Sequence, residues 1–176
     1  NALDRVTKVF TEPHKVLDQL NTQVLTLLRK EVRTMANIPA ELLRDLALPS
    51  ETTEDGSYIG GQDGMDLAMV AINWERMKVE YAGANNPLYL VRDGVLEEFK
   101  ADKFAICSFE PGAKNYSVQT VDVQSGDTLF LATDGFVDQF GGPQGKKFMR
   151  RRFRELLIET AALPLEEHEG HLSARF

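Results

Sequence analysis

Apolar positions change their spacing along the chain, and the change divides it. Val16, Leu17, Leu20, Val24, Leu27 and Leu28 recur every three or four residues, the spacing of one helix face. Thr11 stands where an N-cap would, with Glu12 and Pro13 in the first turn. Lys30 and Arg33 fall near the far end, where cations suit the helix dipole. Leu3, Val6 and Val9 or Phe10 suggest the tail of an earlier helix. Between residues 34 and 63 the pattern is lost. Residues 39–48 suit a short helix, and residues 49–63, rich in Thr, Ser, Gly and acid, read as an exposed, mobile loop.

From Met65 onward the pattern is that of strands. Residues 65–72 are apolar nearly throughout, which predicts a strand buried on both faces. In residues 77–82, Met77, Val79 and Tyr81 alternate with Lys78 and Glu80. A turn over 83–86 leads into a strand over 87–92. Asp93-Gly94 then predicts a two-residue hairpin into residues 95–99. Residues 116–123 alternate again, and Ser125-Gly126-Asp127 turns the chain into a strand over 128–133. Two helices follow, over 146–161 and from Leu165 onward, the first with Phe148, Phe153, Leu156 and Leu157 on one side. A run of hairpin-connected strands between helices predicts an α+β fold, a sheet or two stacked antiparallel sheets flanked by helices.

Length and composition narrow the class. At 176 residues, 43% of them hydrophobic, the chain suits a single domain with a real core. A formal charge of -7 speaks against nucleic acid or a membrane surface as partner. The single cysteine, Cys107, excludes an internal disulfide framework and suits a reducing, cytoplasmic setting. Within Phe104-Ala105-Ile106-Cys107 it reads as a small buried hydrophobe. No apolar run approaches the length of a membrane span.

The candidate chemistry is acidic. Asp134-Gly135 closes the apolar run over 128–133, so its carboxylate is held by a strand yet points out at the sheet's edge. Rigid placement of an oxygen is what a hard divalent cation needs, and the glycine allows a sharp turn and close backbone approach. On the dipeptide alone, a strand ending in an ordinary Asp-Gly turn is the simpler explanation. Asp63 and Asp66 flank a strand start, as site residues or as solvated caps. The stretch 141–147 has glycines and two lysines but lacks P-loop spacing, leaving a helix entry that meets an anion, or a plain linker. Lys146, Lys147, Arg150, Arg151, Arg152 and Arg154 form a basic cluster, either a solvated face or a dock for an acidic partner or phosphopeptide. Asn85-Asn86-Pro87 is explained by a tight turn. His168 and His171 lack a third ligand for a shared metal.

Three segments, in this order, resemble the metal-dependent serine/threonine phosphatases of the PPM type, in the bacterial branch of SpoIIE, RsbU and their stress-response relatives. The first is Asp63-Gly64-Met65-Asp66-Leu67-Ala68. The second runs from Tyr81-Ala82-Gly83-Ala84-Asn85-Asn86-Pro87 to Asp93-Gly94. The third runs from Gly126-Asp127 through Thr133-Asp134-Gly135-Phe136-Val137-Asp138 to Gly141-Gly142. The resemblance covers roughly residues 1–165. It implies an α-β-β-α sandwich and a site at one end, where aspartates hold two Mn²⁺ or Mg²⁺ ions around an activated water. It assigns Asp134 as a metal ligand, with Gly135 as its turn and Asp138 as an acid that orients the loop. Asp66, Lys146 and Lys147 fall at the rim of such a site.

The resemblance also implies segments that these residues lack. The family's Gly-Asp-x-x-Asp and Asp-x-x-Gly-His-Gly segments belong upstream of the first helix, and a closing Asp-Asp pair belongs after the last. The chain opens on Asn1 and stops within a helical pattern, so a partial domain is expected. Taken alone it is expected to be inactive and to bind catalytic metal weakly. The implied protein removes phosphate from serine or threonine of a partner such as an anti-sigma-factor antagonist. It carries a sensor or receiver domain elsewhere and is a candidate homodimer. A non-catalytic phosphatase-like module for regulation or dimerisation is the alternative.

Overall fold

The computed structural model describes residues 11–35, 64–107, 115–141 and 146–175, with backbone alone for 27–35, 140, 141 and 146. The expected early helix, the short helix over 39–48, the loop over 49–63 and Asp63 lie outside the described residues.

Helix α1 (Pro13–Met35) starts on the proline, whose fixed φ and missing N–H suit a first turn. Six strands follow: β1 (Leu67–Asn73), β2 (Lys78–Ala84), β3 (Leu88–Arg92), β4 (Val95–Phe99), β5 (Gln119–Asp122) and β6 (Thr128–Leu131). They form two antiparallel three-stranded sheets, β1-β2-β5 and β4-β3-β6. A short helix α2 (Gly135–Asp138), a two-residue pair β7 (Phe140–Gly141) and β8 (Lys146–Lys147), and helices α3 (Arg150–Ala161) and α4 (His168–Ser173) complete the order.

Strand alternation sorts the side chains into three apolar layers. Val79 and Tyr81 of β2 meet Leu88 and Leu90 of β3 and Val121 of β5 between the sheets. The opposite face of β2, Ala82 and Ala84, packs on Leu17 and Leu20 of α1. The opposite face of β3, Tyr89, packs on Phe153 and Leu157 of α3. Helix, sheet, sheet, helix is therefore the layer order, as expected.

Several strand limits move, each for a local reason. The strand expected over 116–123 begins only at Gln119, because side chains take the earlier amides: Tyr116 N–H donates to Asp18 Oδ1 at 2.7 Å and Ser117 N–H to Asp102 Oδ2 at 2.7 Å. β6 stops at Leu131, opposite Leu88, where β3 begins after Pro87. β1, expected to be buried on both faces, is the edge of its sheet and only half-buried. The helix expected from Lys146 starts at Arg150, since Lys146 and Lys147 pair with Phe140 and Gly141. The Asp93-Gly94 hairpin forms as expected, with φ of 50° and 74° matching a type I′ turn. Cys107 is buried, and burial pushes its thiol up, as suits a hydrophobe.

One ion pair locks the end of β3. The Arg92 fork donates to Asp127 at 2.9 and 2.6 Å, and Asp127 Oδ2 also accepts the Gln124 N–H at 2.8 Å. These contacts, Arg92 first, hold the Asp127 carboxyl below the usual carboxylate range. Its stabilising contribution is then present above the unfolded-state value near pH 4 and is lost as pH falls through the lower folded value. Arg92→Met should destabilise the fold at pH 7, and the deficit should shrink below about pH 4. Denaturation of both proteins between pH 7 and 3 checks this; a deficit unchanged at pH 3 contradicts it.

Candidate functional site: a carboxylate-edged cleft

The starts of β1 and β3 and the ends of β2, β4 and β6 share one end of the sandwich. A cleft of about 620 Å³ opens there. Its walls are the segments that leave those strands: Asp66 before β1, Asn85–Pro87 between β2 and β3, Lys100–Lys103 after β4, and Ala132–Asp134 after β6. Its floor is the α3-facing side of the second sheet, where Tyr89 lies opposite Glu98. Arg150 and Phe153 close it from α3.

The corner between β2 and β3 carries the chain from one sheet to the other, and its residues are specified closely. Asn85 takes the left-handed backbone, φ 60°, which asparagine tolerates. Its N–H donates to the Asp102 carbonyl at 2.9 Å, and its side-chain amide to Asp66 Oδ1 at 2.7 Å. The Tyr81 hydroxyl, buried between the sheets, donates to the Asn86 carbonyl at 2.7 Å and passes directly over Gly83. Burial raises the Tyr81 phenol far above its ordinary value, so it serves as a hydrogen-bond donor and not as an acid.

Asp134 lies three residues beyond β6, at the start of α2. Its carbonyl accepts the Asp138 N–H at 2.9 Å, while its exposed carboxylate makes no hydrogen bond among the described residues. An aromatic cluster fixes this loop from below: Phe136 meets Phe153 at 5.0 Å and Phe148 at 5.7 Å, and Phe153 meets Tyr89 at 5.6 Å. The result is a free carboxylate on a rigid mount, facing the cleft.

The other expected site residues divide. Asp66 is on the cleft wall, engaged with Asn85. Gly135 is not the sharp turn expected of it: it is helical, and a Cβ there would meet only Thr133 Oγ1 at 3.4 Å. Asp138 does bond, but to Lys147 Nζ at 3.1 Å, tying β8 to α2. Lys147 is therefore a brace and not part of the cleft wall. The Lys146 side chain and residues 142–145 lie outside the described residues.

The basic cluster also splits. Arg151 points to solvent and pairs with Glu155 at 3.0 Å, and Arg154 pairs with Glu98 at 2.9 Å. Among the described side chains of the cluster, Arg150 alone lines the cleft. Tyr89, Glu98, Lys100 and Lys103 were not singled out by sequence. Tyr89 was findable, since alternation with Leu88 and Leu90 sets it on the opposite face; the two lysines carried no signal. Burial first, then Glu98, raises the Tyr89 phenol, and Arg150 and Arg154 pull the other way.

A hard divalent ion takes about six oxygens. Among the described residues no three His, Cys, Asp or Glu side chains form such a group. Asp134 supplies one carboxylate at the cleft edge, and the described residues bring no further pair of such ligands to it.

A four-layer α-β-β-α sandwich with an acid-edged cleft at its end is the architecture of the PP2C class. The SiaA-PP2C domain of Pseudomonas aeruginosa superposes with a TM-score of 0.68 at 26% identity, over 99% of this chain and 57% of that one. This chain thus spans little more than half the length of that structure. The model of the SpoIIE family, Stage II sporulation protein E, matches residues 1–173. The chain belongs to the SpoIIE family of PPM phosphatases, which generally depend on Mn²⁺ or Mg²⁺. No curated protein matches it. None of the described helices is long and apolar enough to cross a membrane.

Proposed function

We propose that this chain is the cleft-bearing part of a bacterial signalling phosphatase that hydrolyses phosphoserine or phosphothreonine on a partner protein. The observation that carries this is Asp134: a carboxylate with no hydrogen bond among the described residues, at the cleft edge, at the position that the family motif gives to a metal ligand. The remaining ligands of Mn²⁺ or Mg²⁺ come from beyond the described residues. The substrate class is a phosphorylated regulator such as an anti-sigma-factor antagonist, with a sensor or receiver domain in the longer protein.

A phosphoserine peptide incubated with the full-length protein should release phosphate with Mn²⁺ and none with excess chelator. Turnover unaffected by chelator would refute metal dependence. This chain alone should bind Mn²⁺ more weakly than micromolar by calorimetry, because one carboxylate is too few. The lack of a three-ligand group among the described residues favours a second reading, a non-catalytic phosphatase-like module. That reading requires that the full-length protein release no phosphate under any metal.

A further inference from the structure

We infer that Arg150 is the residue that grips the substrate's phosphoryl group in the cleft. The inference rests on the phosphatase reading and adds a named contact to it.

The charges around the cleft are unequal in their commitments. Of its acids, Asp66 accepts from the Asn85 amide and Glu98 is held by Arg154. Of its cations, Lys100, Lys103 and Arg150 make no side-chain hydrogen bond or ion pair among the described residues. The cleft therefore presents three uncommitted cations beside the one uncommitted carboxylate of Asp134. Three cations at one wall suit an anionic group such as a phosphate.

Arg150 is the best suited of the three. A guanidinium offers a planar fork that matches two phosphoryl oxygens, whereas lysine offers a point charge on a flexible stem. Arg150 is also placed against local preference. It is the first residue of α3, whose first turn holds no acid, so its charge opposes the helix dipole. That placement has no protein partner to justify it, while Arg151 and Arg154 each have one. Arg150 also stands over the floor beside Tyr89, within range to act on its phenol.

The test is titration of inorganic phosphate into the metal-free chain, followed by amide and guanidinium NMR. In the wild type the perturbed signals should cluster at Tyr89, Lys100, Lys103 and Arg150. Arg150→Ala should weaken phosphate binding at least about tenfold. Arg150→Lys should fall between, and Arg151→Ala should match the wild type. Wild-type affinity in Arg150→Ala, or perturbation confined to other surfaces, overturns the inference. A parallel measurement in the full-length protein separates it from the reading beneath it. Phosphate binding that follows Arg150 without any phosphoester hydrolysis sinks the hydrolase and leaves the anion site. Hydrolysis of a small aryl phosphate with KM unchanged in Arg150→Ala does the reverse. A KM raised only for acidic phosphopeptides also overturns it, since Arg150 would then read flanking acids.

Discussion

Asp134→Asn in the full-length protein is expected to cut metal-dependent release of phosphate at least ~100-fold and to leave the fold intact. The two halves of that expectation have separate causes. The carboxylate is exposed and makes no hydrogen bond among the described residues, so its removal breaks no bond among them. Surface changes of that kind alter stability by about 0.5 kcal/mol or less. The amide keeps the shape but loses the charge, and a hard cation discriminates strongly between them. Calorimetry with Mn²⁺ and a thermal melt should therefore diverge: affinity falls while the melting temperature holds. A variant that retains turnover removes Asp134 from the site. A variant that melts early shows that its role was structural.

Gly83→Ala, a small change at a buried position of β2, should be strongly destabilising. Its Cβ would fall 2.5 Å from the Asn86 carbonyl oxygen and closer still to the Tyr81 hydroxyl. The first of these is backbone at the corner where the chain passes between sheets, so it cannot swing aside. A loss of at least ~3 kcal/mol is expected, roughly 6–12 °C in melting temperature. Gly94→Ala is the contrast: nothing lies within 4 Å of its Cβ, so only the left-handed backbone, φ 74°, is strained, at a cost of about 1–2 kcal/mol. Adding Tyr81→Phe to Gly83→Ala removes the hydroxyl but not the carbonyl, so stability should not return. Full recovery in the double variant would place the conflict on the side chain alone.

The two faces of each strand were legible from alternation, which left one sheet or two stacked sheets open, and the family resemblance pointed to the sandwich. β2 is the clearest case, with Val79 and Tyr81 turned one way and Ala82 and Ala84 the other. Strand ends were less legible. Tyr116 and Ser117 have strand-like side chains, but Asp18, 98 positions from Tyr116, and Asp102, 15 positions from Ser117, hold their amides. No local pattern encodes bonds to residues outside the strand's own neighbourhood.

The site shows the same division. Asp134 could be singled out because a strand end followed by Asp-Gly is a local feature, though only the family resemblance raised it above an ordinary turn. By itself the sequence determined the helix-flanked run of strands, the Asp93-Gly94 hairpin and the buried thiol, and the resemblance supplied the layer order. Only the tertiary structure decided which of the described cations of the basic cluster faces the cleft. It likewise turned Lys147 into a brace and the Tyr81 hydroxyl into the lock of the corner. Periodicity reports which side of an element a residue occupies. Whether a charge there is spent or free depends on partners that only folding brings within reach.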